Sequence, residues 1–598
     1  MRRIAVSSVA ALVACAHDSG SPPASDVEVI SDPELRAIVE DHWSWTLQQF
    51  PELATRLGDH RFDDRLTDVS VEARIGRRKD RRRLLGRLEA ISARGLSNRD
   101  LVNRELLMLE LRGAIAAEPC RFEEWSLSPR GNPITILNYI PQSNLRKTAS
   151  GATALLARYR AGARKISHVV DNLESGIADG LYANAESTRR VLSMVRSQLE
   201  KPVERWPMFT EAEPFAARSE LGEKRFRAEV HGVLESMVRP ALERYRDLLR
   251  DEILPNARGP DDGVGLAGLP FGEQCYEARV RRFLTLELDP QRIHETGLSE
   301  IERIDTEMAE LGRSVFGTET LKATLARLRA SDDPELYFDS REAILNKARS
   351  ALARAKEAIP PFFGRLPEAD CVVREIPEYE APFTTVAYYR QPVPSGERPG
   401  EYYVNTHAPE TRTRYEAEAL AFHEAIPGHH LQIAISQELP DLPPFRRHLG
   451  MTVFVEGWAL YAEGLAEEMS LYSSDLDRLG RLSYEAWRAA RLVVDTGIHA
   501  LGWSRERARR FMTEHTALAP NNIDNEVDRY IVWPGQALAY KIGELEIRRL
   551  RQRAERQLGA EFNLAAFHDV VLGGGAVSLP VLRGQIESWI RRKRTPPM

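Results

Sequence analysis

Apolar residues recur at three- and four-residue spacing over most of this chain, the period of a helix with one buried face. Asp289-Pro290 opens one such run with an N-cap residue and a proline at the first helical position, and Ile293, Leu298, Ile301 and Ile304 carry it on. A second run covers residues 339–359 and stops before Pro360-Pro361. A third goes from Leu482 through Trp487, Leu492 and Ile498 to Gly502, where Ser504 stands ready to cap the next helix. The exception is the stretch 372–406. Residues 383–389 and 402–406 are aromatic and β-branched runs separated by a Pro/Gly-rich segment, and they read as strands of a short hairpin or small sheet. Such strands could hold an extended peptide along an edge, or simply cover a helix face. The pattern therefore predicts a mainly α fold with short connections and one small β element.

The N-terminus changes this picture. Met1-Arg2-Arg3 is a positive leader, and residues 4–14 are apolar but too few to span a bilayer. Leu12-Val13-Ala14-Cys15 resembles a bacterial lipobox, in which Cys15 is lipidated and becomes the mature N-terminus. Ala16 lacks the aspartate associated with inner-membrane retention, and the Ser-, Pro-, Gly- and Asp-rich residues 16–27 suit a flexible tether. The expected organisation is a signal peptide over 1–15, a tether over 16–31 and one helical domain over 32–595, as a single body or as two lobes around a cleft. The expected location is that of an exported lipoprotein on the outer membrane or a periplasmic face, or of a secreted protein if Cys15 carries no lipid.

A net charge of −6 with 28% charged residues gives no support for nucleic-acid binding. The one basic run, Arg77-Arg78-Lys79-Asp80-Arg81-Arg82-Arg83, precedes Leu84, Leu85 and Leu88 and reads as the solvated face of an amphipathic helix. Without Cys15, three cysteines remain, enough for one disulfide with one thiol left over. None lies among the histidines, so a Cys-ligated structural zinc site is not indicated.

The chemistry concentrates in Ala421-Phe422-His423-Glu424-Ala425-Ile426-Pro427-Gly428-His429-His430, which holds three of the chain's fourteen histidines. A zinc hydrolase needs imidazoles and a carboxylate to hold the ion and a free carboxylate to take a proton from its water. In an HExxH helix the second histidine lies four residues after the first, and here that position is Pro427. On an unbroken helix His429 would point to another face, and His430 would sit about 10 Å further along the axis. Proline breaks a helix and glycine widens the backbone choice, so a break at Pro427-Gly428 is expected to swing one of the two histidines back toward His423. His429 is placed first because Gly428-His429 looks like the ending of HExxGH sequences; His430 is the alternative. Glu424 is the candidate base. Glu456, which lies 27 residues after His429, is the candidate third ligand on the next helix. Glu463 follows two turns later on the same face and could orient a ligand. A buried polar cluster without metal is the plain alternative, and the density of histidines beside an HE pair weighs against it. His294-Glu295 has no histidine at usable spacing and reads as an exposed helix pair.

Later in the chain, Gln536, Tyr540 and Lys541 interrupt an apolar helix and suggest a cavity wall. Tyr540, Tyr530 or Arg529 could stabilise an oxyanion; alternatively Tyr540 belongs to the core and Lys541 to the solvent. Arg491 and His499 read as satisfied structural groups, and Gly573-Gly574-Gly575 as a loop between helices.

The strings YYVNT, HEAIPGHHLQ, FVEGWALYAE, ARLVVDTGIH and RYIVWPGQALAYKIGELEIR resemble the bacterial family called domain of unknown function 885, over residues 32–595. That family is thought similar in architecture to helical zinc peptidases of the angiotensin-converting-enzyme, thimet-oligopeptidase and thermostable-carboxypeptidase kinds. The resemblance implies a large elongated helical fold with a deep cleft, one zinc ion, His423 and His429 as ligands, Glu424 as base and Glu456 as third ligand. It leads to the expectation of a zinc-dependent hydrolase of peptide or amide bonds in short peptides, attached to a membrane by its N-terminal lipid alone. Two competitors remain: a non-catalytic peptide-binding lipoprotein with a degenerate metal site, and a di-iron helical oxygenase, which would want paired Glu-x-x-His motifs that the chain lacks.

Overall fold

The computed structural model describes residues 29–594 apart from 144, 146, 213–219, 260–262, 331–332, 379–380, 382–384, 394–397 and 449. Cys15, the leader and most of the tether lie outside the described residues, as do residues 383 and 384 of the first expected strand.

Local signals set the helix starts. The Asp289 carboxylate accepts from the Gln291 N–H, and helix Pro290–Phe316 follows with Ile293, Ile301 and Ile304 buried. Leu298, expected on that face, is exposed, and Gly297 faces inward instead. A Cβ at Gly297 would fall 2.7 Å from Leu492 Cβ, so the crossing with helix Asp475–His499 is closer there than any larger side chain permits. Ser340 caps helix Arg341–Ala358, which ends before the prolines, and Ser504 caps helix Arg505–His515. The basic run lies on helix Val71–Ala90, mostly solvated; Arg77 is the exception, buried with its guanidinium donating to the Asp68 carbonyl.

The β element is a three-stranded sheet. β1 is Cys371–Glu375, β2 is Ala387–Arg390 and β3 is Gly400–Val404. β3 is central, parallel to β1 and antiparallel to β2. Its register sets Tyr402 opposite Val373 and Tyr389. The sheet packs into the same apolar core as the two helices of the histidine motif, with Tyr402, Val404, Phe422 and Leu431 all buried.

Two helices in this core approach through glycine. On helix Thr452–Glu468, a Cβ at Gly457 would lie 2.5 Å from Gly543 Cα of helix Ala539–Leu558. This contact brings the helix of Tyr540 against the helix of Glu456. Cys120 and Cys275 form a disulfide and Cys371 is a buried thiol. Gly573-Gly574-Gly575 lies between helices Leu564–Leu572 and Leu579–Arg594. His294 departs from expectation: it is buried, and its Nδ1 meets Thr496 Oγ1 at 2.8 Å.

Candidate metal centre

Helix Ala417–Glu424 ends directly after the HE pair, and a new helix, His429–Glu438, begins at the second histidine. The Ile426–Pro427 peptide is cis. The turn doubles back tightly: the His430 N–H donates to the Ala425 carbonyl at 3.0 Å, and the Trp458 indole donates to the Pro427 carbonyl at 3.0 Å. Gly428 is needed for its missing side chain and not for a left-handed backbone, since φ is −81° and a Cβ there would stand 1.9 Å from the His423 carbonyl oxygen. The turn therefore sits on the last turn of the helix it follows. His423 and His429 face each other with ring centroids 4.7 Å apart and planes at 83°.

Glu456 of helix Thr452–Glu468 closes the group. Its Oε2 is 3.8 Å from His423 Nε2 and 3.6 Å from His429 Nε2, and the three ligand atoms all lie within 4.8 Å of one another. Zinc bonds of about 2.1 Å in tetrahedral array set neighbouring ligand atoms about 3.4 Å apart, so two imidazoles and a carboxylate at these separations fit such an ion. His423 Nδ1 donates to Glu463 Oε1 at 2.7 Å, which fixes the tautomer and leaves the Nε2 lone pair facing Glu456. Burial pushes the Glu463 carboxyl up to about 7, with Arg488 and Arg481 opposing. Burial also holds His423 well below the usual imidazole range, and the neighbouring His429 adds to this. Two buried polar atoms of this group lack hydrogen-bond partners among the described residues, His429 Nδ1 and Glu463 Oε2.

Glu424 is half-buried beside the triad. Burial raises its carboxyl, Glu456 raises it further, and His429 opposes. Tyr540 lies within electrostatic reach of Glu456: burial raises its phenol, then the Glu456 charge, and the Arg491 guanidinium covers its ring with Cζ 4.2 Å from the centroid. A cavity of about 80 Å³ lies between the sheet and the motif helix, with Phe338, Tyr402, Val404, Leu420 and Tyr484 in its wall.

Several candidates sit elsewhere. His430 faces away from the triad, because consecutive helix residues differ by about 100° and His429 takes the inward position. Its Nε2 donates to the Ala369 carbonyl at 3.0 Å and its Nδ1 accepts from the Tyr389 hydroxyl at 3.0 Å, so it ties the motif to β2 and cannot ligate with His423. Tyr530 is also fully engaged. Its hydroxyl donates to Glu526 at 2.8 Å and accepts from Arg491 and Trp487, each at 3.0 Å, which leaves nothing for an oxyanion. Arg529 belongs to the same cluster, donating to Glu526 at 2.8 Å and to Gln536 at 2.9 Å. Lys541 does not reach solvent: it is fully buried among Glu300, Glu485 and Glu544, at 3.0, 2.8 and 3.0 Å. His499 bridges the Leu266 N–H and the Tyr530 carbonyl, a structural part. Sequence reasoning gave no place to Arg488, and treated Arg491 as structural. The available signal was a pair of arginines one turn apart on the otherwise apolar side of a long helix, directly after Trp487.

The chain is similar to a solved protein of Colwellia psychrerythraea described as a "putative lipoprotein", at 26% identity and a TM-score of 0.88, over 94% of this chain and 99% of that one. It also matches a "putative lipoprotein of unknown function" of Shewanella oneidensis at 18% identity and a TM-score of 0.69, over 93% of this chain and 99% of that one, a likeness of fold alone. No curated protein matches. The sequence profile of one family matches residues 51–586, nearly the whole described chain. The chain thus belongs to the bacterial proteins of unknown function designated DUF885.

Proposed function

We propose that this chain is a zinc-dependent hydrolase of peptide or amide bonds in short peptides. The observation that carries the reading is the convergence of His423, His429 and Glu456, with ligand atoms within 4.8 Å of one another, beside a second carboxyl group, Glu424, that is not among them. A bound zinc ion supplies Lewis acidity, polarising a carbonyl and lowering the pKa of water. Glu424 takes the proton of the attacking water and returns it to the leaving amine, and its raised affinity for protons suits both halves of that transfer. Glu463 holds His423 in the tautomer that offers Nε2. The Tyr540 hydroxyl, which feels the Glu456 charge, is the proposed donor to negative charge on the carbonyl oxygen. The small cavity against Tyr402 and Leu420 gives room for one modest apolar side chain.

Export as a lipoprotein through Cys15 fits this reading, and both similar proteins carry that description. No helix among the described residues is long and apolar enough to cross a membrane, so the lipid is the proposed attachment.

The test is Glu424→Gln in the zinc-loaded protein, assayed on a library of short peptides. General-base loss predicts a fall in kcat of about 10²–10⁴ with zinc content unchanged. Hydrolysis at the wild-type rate refutes the mechanism.

A further inference from the structure

Arg488 and Arg491 stand one turn apart on helix Asp475–His499, beside the metal centre. Arg488 Nη2 is 3.9 Å from Glu463 Oε1, the oxygen that holds His423. Arg491 lies over the ring of Tyr540. Both side chains are deeply buried, 5% and 4% exposed. Both nevertheless keep an N–H with no partner among the described residues, Nε of Arg488 and Nη1 of Arg491. Among the described residues Arg488 makes one long hydrogen bond, at 3.4 Å to the Tyr484 carbonyl, and besides the distant Glu463 it is held by aromatic faces, with Cζ 4.4 Å from the Tyr484 centroid and 4.2 Å from that of Trp487.

The surrounding charges do not balance. Within contact distance Arg488, Arg491 and Arg529 share two carboxylates, Glu463 and Glu526, the second also 3.8 Å from Arg130, while Asp495 acts on Arg529 from further off. Glu463 gives Oε1 to His423 and keeps Oε2 without a partner among the described residues, and one oxygen of Glu526 takes Arg491, Arg529 and Tyr530 together. Glu416, which also feels Arg488, has its carboxyl bound by the Thr413 and Ser483 hydroxyls and is raised by burial. Glu424 and Glu456 face the ion position. A buried guanidinium without its own counter-charge is costly to keep, and its planar fork matches a carboxylate.

We propose that Arg488 and Arg491 receive a carboxylate of the substrate, so that the centre takes short peptides by the free carboxylate next to the bond to be cut, the C-terminal one in a linear peptide. The cleavage part rests on the hydrolase reading above; the binding part does not.

The test is calorimetric titration of the zinc-loaded full chain carrying Glu424→Gln with N-acetyl-trialanine and with its C-terminal amide. The acid is expected to bind at least about tenfold more tightly than the amide, the scale of one charged hydrogen-bonded pair. Adding Arg488→Met should bring that ratio close to one, and Arg488→Lys should restore part of it. Equal affinities in the parent protein overturn the proposal, as does failure of either peptide to bind; this comparison stands even if the arginine variants do not fold. Turnover by the unsubstituted chain is read separately. Carboxylate preference without turnover removes the hydrolase reading and keeps this one, whereas turnover without preference does the reverse.

Discussion

Replacing Glu463 with alanine removes the acceptor that holds His423 Nδ1 at 2.7 Å, without touching any atom that faces the proposed ion. A hydrogen bond to a charged group contributes about 1.5–3 kcal/mol. At about 1.4 kcal/mol per decade, losing it should weaken zinc binding roughly 10- to 100-fold, the range typical of carboxylates behind histidine ligands. Glu463→Gln keeps an oxygen acceptor but no charge, so it should fall between wild type and alanine. Alanine also leaves Arg488 without the carboxylate that lies 3.9 Å away, a cost to folding and not to the metal. The assay is competition with a fluorescent zinc chelator at pH 7.5, with thermal unfolding of the metal-free proteins run alongside. Zinc affinity within about twofold of wild type in a folded Glu463→Ala protein would refute the reasoning, because the loss expected on removing a carboxylate that orients a metal-bound histidine is several times larger. So would glutamine binding zinc more weakly than alanine.

Gly457→Ala should destabilise the fold by about 1–3 kcal/mol through overpacking against Gly543 Cα; an unchanged thermal midpoint would show that the two helices separate freely. Acid should unfold the protein through its buried neutral histidines. Burial lowers His568 to about 4 and His499 to about 3, so the unfolded chain protonates first, and their stabilisation is complete above pH 6.5 and lost as pH falls through 4 and then 3. By pH 5 each should have cost about 2 kcal/mol, and urea midpoints at pH 7.5 and 5.0 should show a smaller drop for His568→Gln than for wild type. Reducing the Cys120–Cys275 bridge, which closes a separation of 155 residues, should cost about 4–5 kcal/mol on the chain-entropy scale, read as a shift of the urea midpoint with and without reductant. Lys541→Met removes the buried cation shared by Glu300, Glu485 and Glu544 but leaves them Arg303, Arg481 and Arg548, so a loss of about 1–3 kcal/mol is expected; a midpoint at or above that of wild type would refute it.

What could be read from the sequence was what the chain decides locally. Asp289-Pro290, Ser504 and Pro360 mark helix ends through contacts within a few residues, and the structure begins and ends its helices there. Pro427 in a helical run announces a break for the same reason. The parts that stayed hidden depend on distant partners. The choice between His429 and His430 turns on Gly428 pressing against the His423 carbonyl and on Tyr389 and Ala369 holding His430, and no spacing encodes either. Leu298 matches the helical period, yet Gly297 faces inward because helix Asp475–His499 crosses closely at that point. β1 escapes a reading by pattern because residues 371–375 have little periodicity of their own and become a strand by pairing with β3. Arg488 escapes it, and Lys541 stays a choice between cavity wall and solvent, because the rule that long cations face water fails where carboxylates of other helices, or aromatic rings of the same helix, enclose them.

The account stands or falls on whether His423, His429 and Glu456 hold a metal ion. The direct measurement is elemental analysis of the purified chain after dialysis against zinc, beside His423→Ala and Glu456→Ala. The account predicts about one zinc per chain in the wild type, lost in both variants. Wild-type protein that stays metal-free, or variants that keep the ion, would contradict it.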